Sequence, residues 1–409
     1  MWHYFAMAVA APLDDAGQSA LDELHKDVQR IRQVPFTRPR GRSMSVEELH
    51  QHEVDSLAEW MKPEDWRRAS LALRVLDLAE PGFDLERSLI RLLGQGVQGF
   101  YDPDEHELVI VDRPGGLPWR QVAGHEMAHA QQMSRFEAWP TRVPRLGNDD
   151  VVAAFDGLLE GEAMLIEVAL SGAEPMVADL QALIPGFWVH SPVFHQPDVP
   201  SAVLESVGYA YTFGAEFAQS LLKARGWAAF DDAFRRPPIS TEQVLHPEKF
   251  RDRDWPQRVP LDVTEVLVDY ELVEENTVGE LGIVTMLRQW GYPRQAWIVA
   301  SGWDGDRMQV LVRDEELVLV WRLVWDTPED AERFVTQLRD RWTVEEGTRI
   351  ERRDTQVVVL RGVQESHVAE VFREAWRRRT RTVRRIEALI DRQVLRRWRR
   401  DQQRQARDR

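Results

Sequence analysis

Val122, Ala123, Met127, Ala128 and Ala130 surround three polar side chains, His125, Glu126 and His129, in one short stretch of the chain. A helix so poor in charge packs inside a protein, where each polar group needs a partner. Spaced by four, the two histidines stand one turn apart on a single face. Imidazoles so placed are either hydrogen-bonded core residues or ligands of one divalent cation, and Zn2+ is the cation the pattern suits. Glu126 sits about 100° round the helix from His125, within reach of water beside such an ion, so it is the expected general base.

A catalytic zinc takes three protein ligands and keeps one position open. The chain has no cysteine. Thiolate ligands, disulfides and iron–sulfur clusters are therefore excluded, and the third ligand must be His, Asp or Glu. A helical pattern over 151–170 puts Glu162 on the face of Phe155, Leu158, Leu159, Leu165 and Ile166. Glu160 then lies about 200° away, so only one of the two carboxylates can face the ion.

The run Leu159-Glu160-Gly161-Glu162-Ala163 resembles the glutamate-bearing second helix of gluzincin-type zinc peptidases, where Glu precedes Gly, a variable residue and Ala. His125–His129 is similar to their His-Glu-x-x-His helix. The resemblance implies Glu160 as the third ligand and leaves Glu162 as the alternative ligand or a partner for a histidine. Gly99-Phe-Tyr-Asp-Pro103, Pro237–Phe250, Gly302–Arg307 and Trp325–Ala331 are similar to a group of uncharacterised bacterial gluzincin-like proteins, and together span most of 96–335. What this implies is a zinc hydrolase cleaving amide bonds in peptide or protein substrates. Tyr211, in Tyr-Thr-Phe-Gly, resembles a Tyr-x-x-Gly element of that group; with Tyr209 and His246 it is a candidate donor to the developing oxyanion. The rival expectation is a binding or assembly protein on the same scaffold, against which the intact Glu126 speaks.

At 409 residues the chain exceeds one ordinary core. The expected class is α+β: a helical region over 1–80, a mainly helical zincin-like catalytic domain with a small β-hairpin over 81–257, a smaller α+β domain over 258–365, and a long basic helix over 366–409. Ser45 with Glu48 forms a capping box, and Pro63 opens a second helical run. A hairpin is expected around Asp102-Pro-Asp-Glu, helices over 117–136, 150–170 and 203–223, and strands over Val266–Leu272, Met308–Val312, Leu317–Trp325 and Val357–Leu360. Strand Glu107–Asp112 is the expected edge for an extended peptide. Gly302–Arg307 lacks the full ligand series of a calcium loop and is expected to form a tight turn.

The net charge of −16 conceals a local balance of +10 over 371–409. An acidic body argues against specific nucleic-acid binding, whereas the basic tail is suited to the body itself or to an anionic surface. The apolar stretch Tyr4–Ala11 has no Lys or Arg before it and is too short to span a bilayer. As part of a signal it would direct the protein to the cell envelope or outside; otherwise the compartment stays open. No later stretch reaches the ~20 apolar residues of a membrane span.

Overall fold

The structure, a computed structural model, describes residues 11–113, 118–136, 147–180, 196, 198–343 and 347–385, and it is of the α+β class. Its first part runs β1 (Ala11–Pro12), α1 (Asp15–Arg32), β2 (Arg40–Ser45), α2 (Val46–Trp60), α3 (Pro63–Val75) and α4 (Leu85–Gly96). The expected capping box starts α2: Ser45 accepts from the Glu48 amide while Glu48 accepts from the Ser45 amide. The hairpin follows as β3 (Gly99–Asp102) and β4 (Glu107–Asp112), its turn tightened by Asp102 Oδ1, which accepts from the amides of Asp104 and Glu105.

These strands form a sheet of order β1-β2-β4-β3, with β2 parallel to β4. Strand β2 lies in the stretch read as helical scaffold; with Met44 its one large apolar side chain, it carries no alternation to betray it. The sheet also corrects the expected substrate edge. Strand β4 has β2 on one side and β3 on the other, so its backbone groups are used, and the edges among the described residues are β1 and β3.

Next come α5 (Trp119–Met133), α6 (Asp149–Leu170), α7 (Ser201–Arg225), α8 (Ala228–Arg235) and the short α9 (Thr241–Leu245) and α10 (Pro247–Asp252). Leu21, Leu24 and Val28 of α1, Leu108 of β4, Ala123 and Met127 of α5, and Ala163 and Ile166 of α6 share one buried cluster. Each large side chain there stabilises by roughly 1.5–3 kcal/mol. Helix α5 is thus enclosed by the sheet, α1 and α6, which is why its sequence is so short of charge.

The remainder runs β5 (Gln257–Arg258), β6 (Glu271–Asn276), α11 (Gly279–Gln289), α12 (Gln295–Ala300), β7 (Trp303–Arg313), β8 (Glu316–Trp325), α13 (Pro328–Arg341), β9 (Thr348–Arg353), β10 (Gln356–Arg361), α14 (Glu365–Arg377) and β11 (Arg381–Thr382). An antiparallel sheet of order β6-β7-β8-β10-β9 dominates it. Leu319, Trp321, Leu323 and Trp325 pack with Phe334 and Leu338 of α13, whereas Val318 and Val320 pack with Val371 and Phe372 of α14. With both faces covered, β8 reads as a nearly continuous apolar run.

Two expectations are corrected here. The strand expected over Val266–Leu272 begins only at Glu271, because the amides of Val266 and Leu267 turn back to the Val263 carbonyl and that of Tyr270 to the Leu267 carbonyl. The long basic helix stops at Arg377. Buried Arg322 donates to the carbonyls of Ala375 and Arg378, both at 2.8 Å, which draws the last turn onto the sheet. Arg381–Thr382 then pairs with Gln257–Arg258, and the Val383 amide donates to the Pro256 carbonyl at 3.1 Å. Residues 386–409 of the expected helix and residues 1–10 of the apolar start lie outside the described residues. No helix among the described residues is long and apolar enough to cross a membrane.

Candidate metal centre

Helices α6 and α7 cross with almost nothing between them. A β-carbon on Gly161 would lie 2.1 Å from the Gly214 carbonyl oxygen, and one on Gly214 would lie 2.5 Å from the Gly157 carbonyl oxygen. Glycine is therefore required at the crossing. The approach sets Glu160, on α6, against Tyr211, on α7, while α5 packs on α6 with its histidines turned towards Glu160.

His125 Nε2 is 3.0 Å and His129 Nε2 is 3.5 Å from Glu160 Oε2. One ligand atom from each residue lies within 4.8 Å of the others, and this is the single such group among the described residues. Atoms bound tetrahedrally at 2.0–2.2 Å are about 3.4 Å apart, so the two histidine–carboxylate separations are of the size a cation such as zinc needs, and the donor types suit it. The outer nitrogens are held too. His125 Nδ1 lies 3.4 Å from Glu167 Oε2, and His129 Nδ1 donates to Gln132 Oε1 at 2.8 Å. Acceptors on both Nδ1 atoms leave both Nε2 lone pairs for a cation.

Burial raises the Glu160 pKa, but the two imidazoles overcome it and hold the carboxyl below its usual range. The histidines mirror this. Burial lowers both, yet the carboxylates around them raise His125 well above its ordinary value and raise His129 as well. Glu126, only 8% exposed, is raised by burial against the pull of the histidines, and its carboxylate accepts the Tyr101 amide of edge strand β3. It therefore lies between the cluster and strand β3. Tyr211 stacks on His125, with ring centroids 6.0 Å apart, and hydrogen-bonds to Glu160. Burial and then the nearby carboxylates push its hydroxyl pKa well up, so the proton stays on.

Glu162 turns away from the cluster. Fully buried, it forms an ion pair with Arg32 Nε at 2.6 Å and accepts from Gln132 Nε2 at 2.9 Å. It does share the apolar face, as its spacing indicates, and a buried arginine accounts for its place there. His246, in the turn between α9 and α10, has its Nε2 2.9 Å from Glu280 Oε1 of α11 and is not among the residues that converge on the cluster. Tyr209 is 2% exposed, with its hydroxyl against Gly157 in the α6–α7 core, so it is no donor to the cluster. Sequence reasoning missed Gln132 and Glu167. The signal was present, since Gln132 is one turn past His129 and Glu167 is two turns past Glu160 on the same side.

The Gly302–Arg307 segment, expected to form a tight turn, turns only up to Gly302, and Trp303–Arg307 already belong to strand β7, paired with β8. Buried Asp306 accepts from the amides of Val278 and Gly279 and from the indoles of Trp303 and Trp321, which uses both its oxygens. Residues 266–399 match a family described as a domain of unknown function (DUF8575), a span that includes the second sheet and none of the cluster residues. Comparison with curated proteins and with solved structures gives no match.

Proposed function

We propose that this protein is a zinc-dependent hydrolase that cleaves amide bonds in peptides or proteins. The observation that carries the reading is the convergence of His125 Nε2, His129 Nε2 and a Glu160 oxygen, with Glu126 alongside. Zinc bound by these three residues would supply a Lewis acid and lower the pKa of water towards ~7. Glu126, raised by burial, takes the proton of the attacking water and returns it to the leaving amine. Tyr211, protonated at neutral pH and beside Glu160, donates to the developing oxyanion.

The test is metal analysis together with a mixed-peptide cleavage assay on the parent and on Glu126→Gln. About one zinc per chain is expected in both, with cleavage lost by roughly 10²–10⁴-fold in the variant. Cleavage that survives the substitution would overturn the mechanism. Zinc without any cleavage by the parent would favour the binding or assembly protein instead.

A further inference from the structure

Gln132 divides its side chain between two elements. Its Oε1 accepts His129 Nδ1–H at 2.8 Å, while its Nε2 donates to the Leu159 carbonyl and to Glu162 Oε2, each at 2.9 Å. A carbonyl can only accept, so Leu159 fixes the amide with its nitrogen towards α6 and its oxygen towards the histidine. That orientation selects the Nδ1–H tautomer of His129 and leaves Nε2 for a cation.

The network does not end at Glu162. Arg32, the last residue of α1 and 3% exposed, pairs with it and also donates to the Trp227 carbonyl and to Asp231 Oδ1, both at 3.0 Å. Asp231, on α8, is gripped by both terminal nitrogens of Arg135, at 2.8 and 2.7 Å, just beyond the end of α5. A circuit of polar contacts, buried at Gln132, Glu162 and Arg32 and half-buried at Asp231 and Arg135, thus runs from α5 through α6, α1 and α8 back to the end of α5. A guanidinium carried into the interior and aimed at the carboxylate beside Gln132 has a further consequence.

We propose that Gln132 is the positioning residue for His129 and that Arg32 holds it in place through Glu162, so that docking of the N-terminal helix and zinc binding are linked. The proposal rests on the metal reading of the cluster and concerns its control. Whatever frees α1 from Arg32's contacts loosens the amide that orients His129, and zinc in turn tightens α1 against α5 and α6. Linkage requires that the coupling be equal in both directions.

The experiment measures Zn2+ affinity of the full chain by competition with a fluorescent chelator, for the parent, Gln132→Leu, Arg32→Met and Arg32→Lys. Loss of an outer partner of a metal-binding histidine weakens affinity by roughly 10–100-fold, which is the expectation for Gln132→Leu. Arg32→Met should weaken binding in the same direction and Arg32→Lys should recover part of it. Hydrogen exchange read on the same proteins should show zinc protecting the α1 amides in the parent and less so in Arg32→Met. If Gln132→Leu fails to fold, Gln132→Asn keeps the amide but shortens its reach and carries the same expectation. Folded variants with the parent's zinc affinity would overturn this proposal alone. A parent that takes up no zinc would overturn the metal reading and this proposal with it.

Discussion

Gly161 and Gly214 meet backbone to backbone: the position of a β-carbon on the first is 2.1 Å from the carbonyl oxygen of the second. Glu160 is the neighbour of one and Tyr211 lies one turn before the other, so this crossing fixes the distance between a cluster carboxylate and the hydroxyl that bonds it. Gly161→Ala must push α6 and α7 apart. Overpacking of this kind costs about 1–3 kcal/mol or more, and the urea midpoint should fall accordingly. Zinc affinity should fall as well, since Glu160 moves with its helix. An unchanged midpoint would mean that the helices can separate there without loss.

Arg322 is expected to be the most sensitive residue of the second sheet. At 2% exposure it donates to the carbonyls of Pro260, Ala375 and Arg378 and to the Gln356 side chain. Burial lowers its pKa to about 10, still well above neutral, so the charge is retained. Arg322→Met leaves these acceptors without their donor, at a cost of about 2–4 kcal/mol. Hydrogen exchange should show the last turn of α14 and the β5–β11 pair opening first. Parent-like protection of both would remove Arg322 as the reason the tail helix stops at Arg377.

Asp150 gives the chain a pH signature apart from the histidine–glutamate cluster. Burial pushes its carboxyl up from 3.8 to about 7, against hydrogen bonds from the Thr241 amide and hydroxyl, with Asp306 and Glu280 adding to the rise. A group raised in the folded state contributes stability that is complete below the unfolded pKa and is lost as pH rises through the folded one. Stability should therefore decline between about pH 4 and pH 7 on this account, by at most about 4 kcal/mol. Asp150→Asn keeps the acceptor and removes the titration, so its unfolding free energy should fall less over that window. A parallel decline in both proteins would sink the assignment.

How much of this was readable beforehand follows from where each partner lies in the chain. His125 and His129 declare themselves because four residues on a helix fix their relation, and β8 does so because Val318 to Trp325 alternate between two covered faces. The choice between Glu160 and Glu162 was not settled by periodicity, which places Glu162 correctly on the buried face but cannot supply Arg32, its partner on a helix far back in the sequence. Strand β2 was invisible for the same reason, since its parallel pairing with β4 rather than its own composition makes it a strand. The end of α14 depends on Arg322, some fifty residues earlier.

The separate placements of His129 and His246 can be told apart by one thermal measurement. A ligand that binds only the folded chain stabilises it by RT ln(1 + [L]/Kd), about 4 kcal/mol at a thousandfold excess over Kd. Zn2+ should therefore raise the parent's melting temperature, and chelation should reverse the rise. His129→Ala removes one of the three converging donors and should abolish most of the shift. His246→Ala should do the opposite. It deprives Glu280, which is 0% exposed, of its 2.9 Å partner and so costs both forms about 1–3 kcal/mol of stability, lowering both melting temperatures, while the increment given by zinc stays at the parent's value. If His246→Ala erased the zinc increment and His129→Ala kept it, the cation would have to be held in the turn between α9 and α10, and the cluster on α5 and α6 would lose its claim to it.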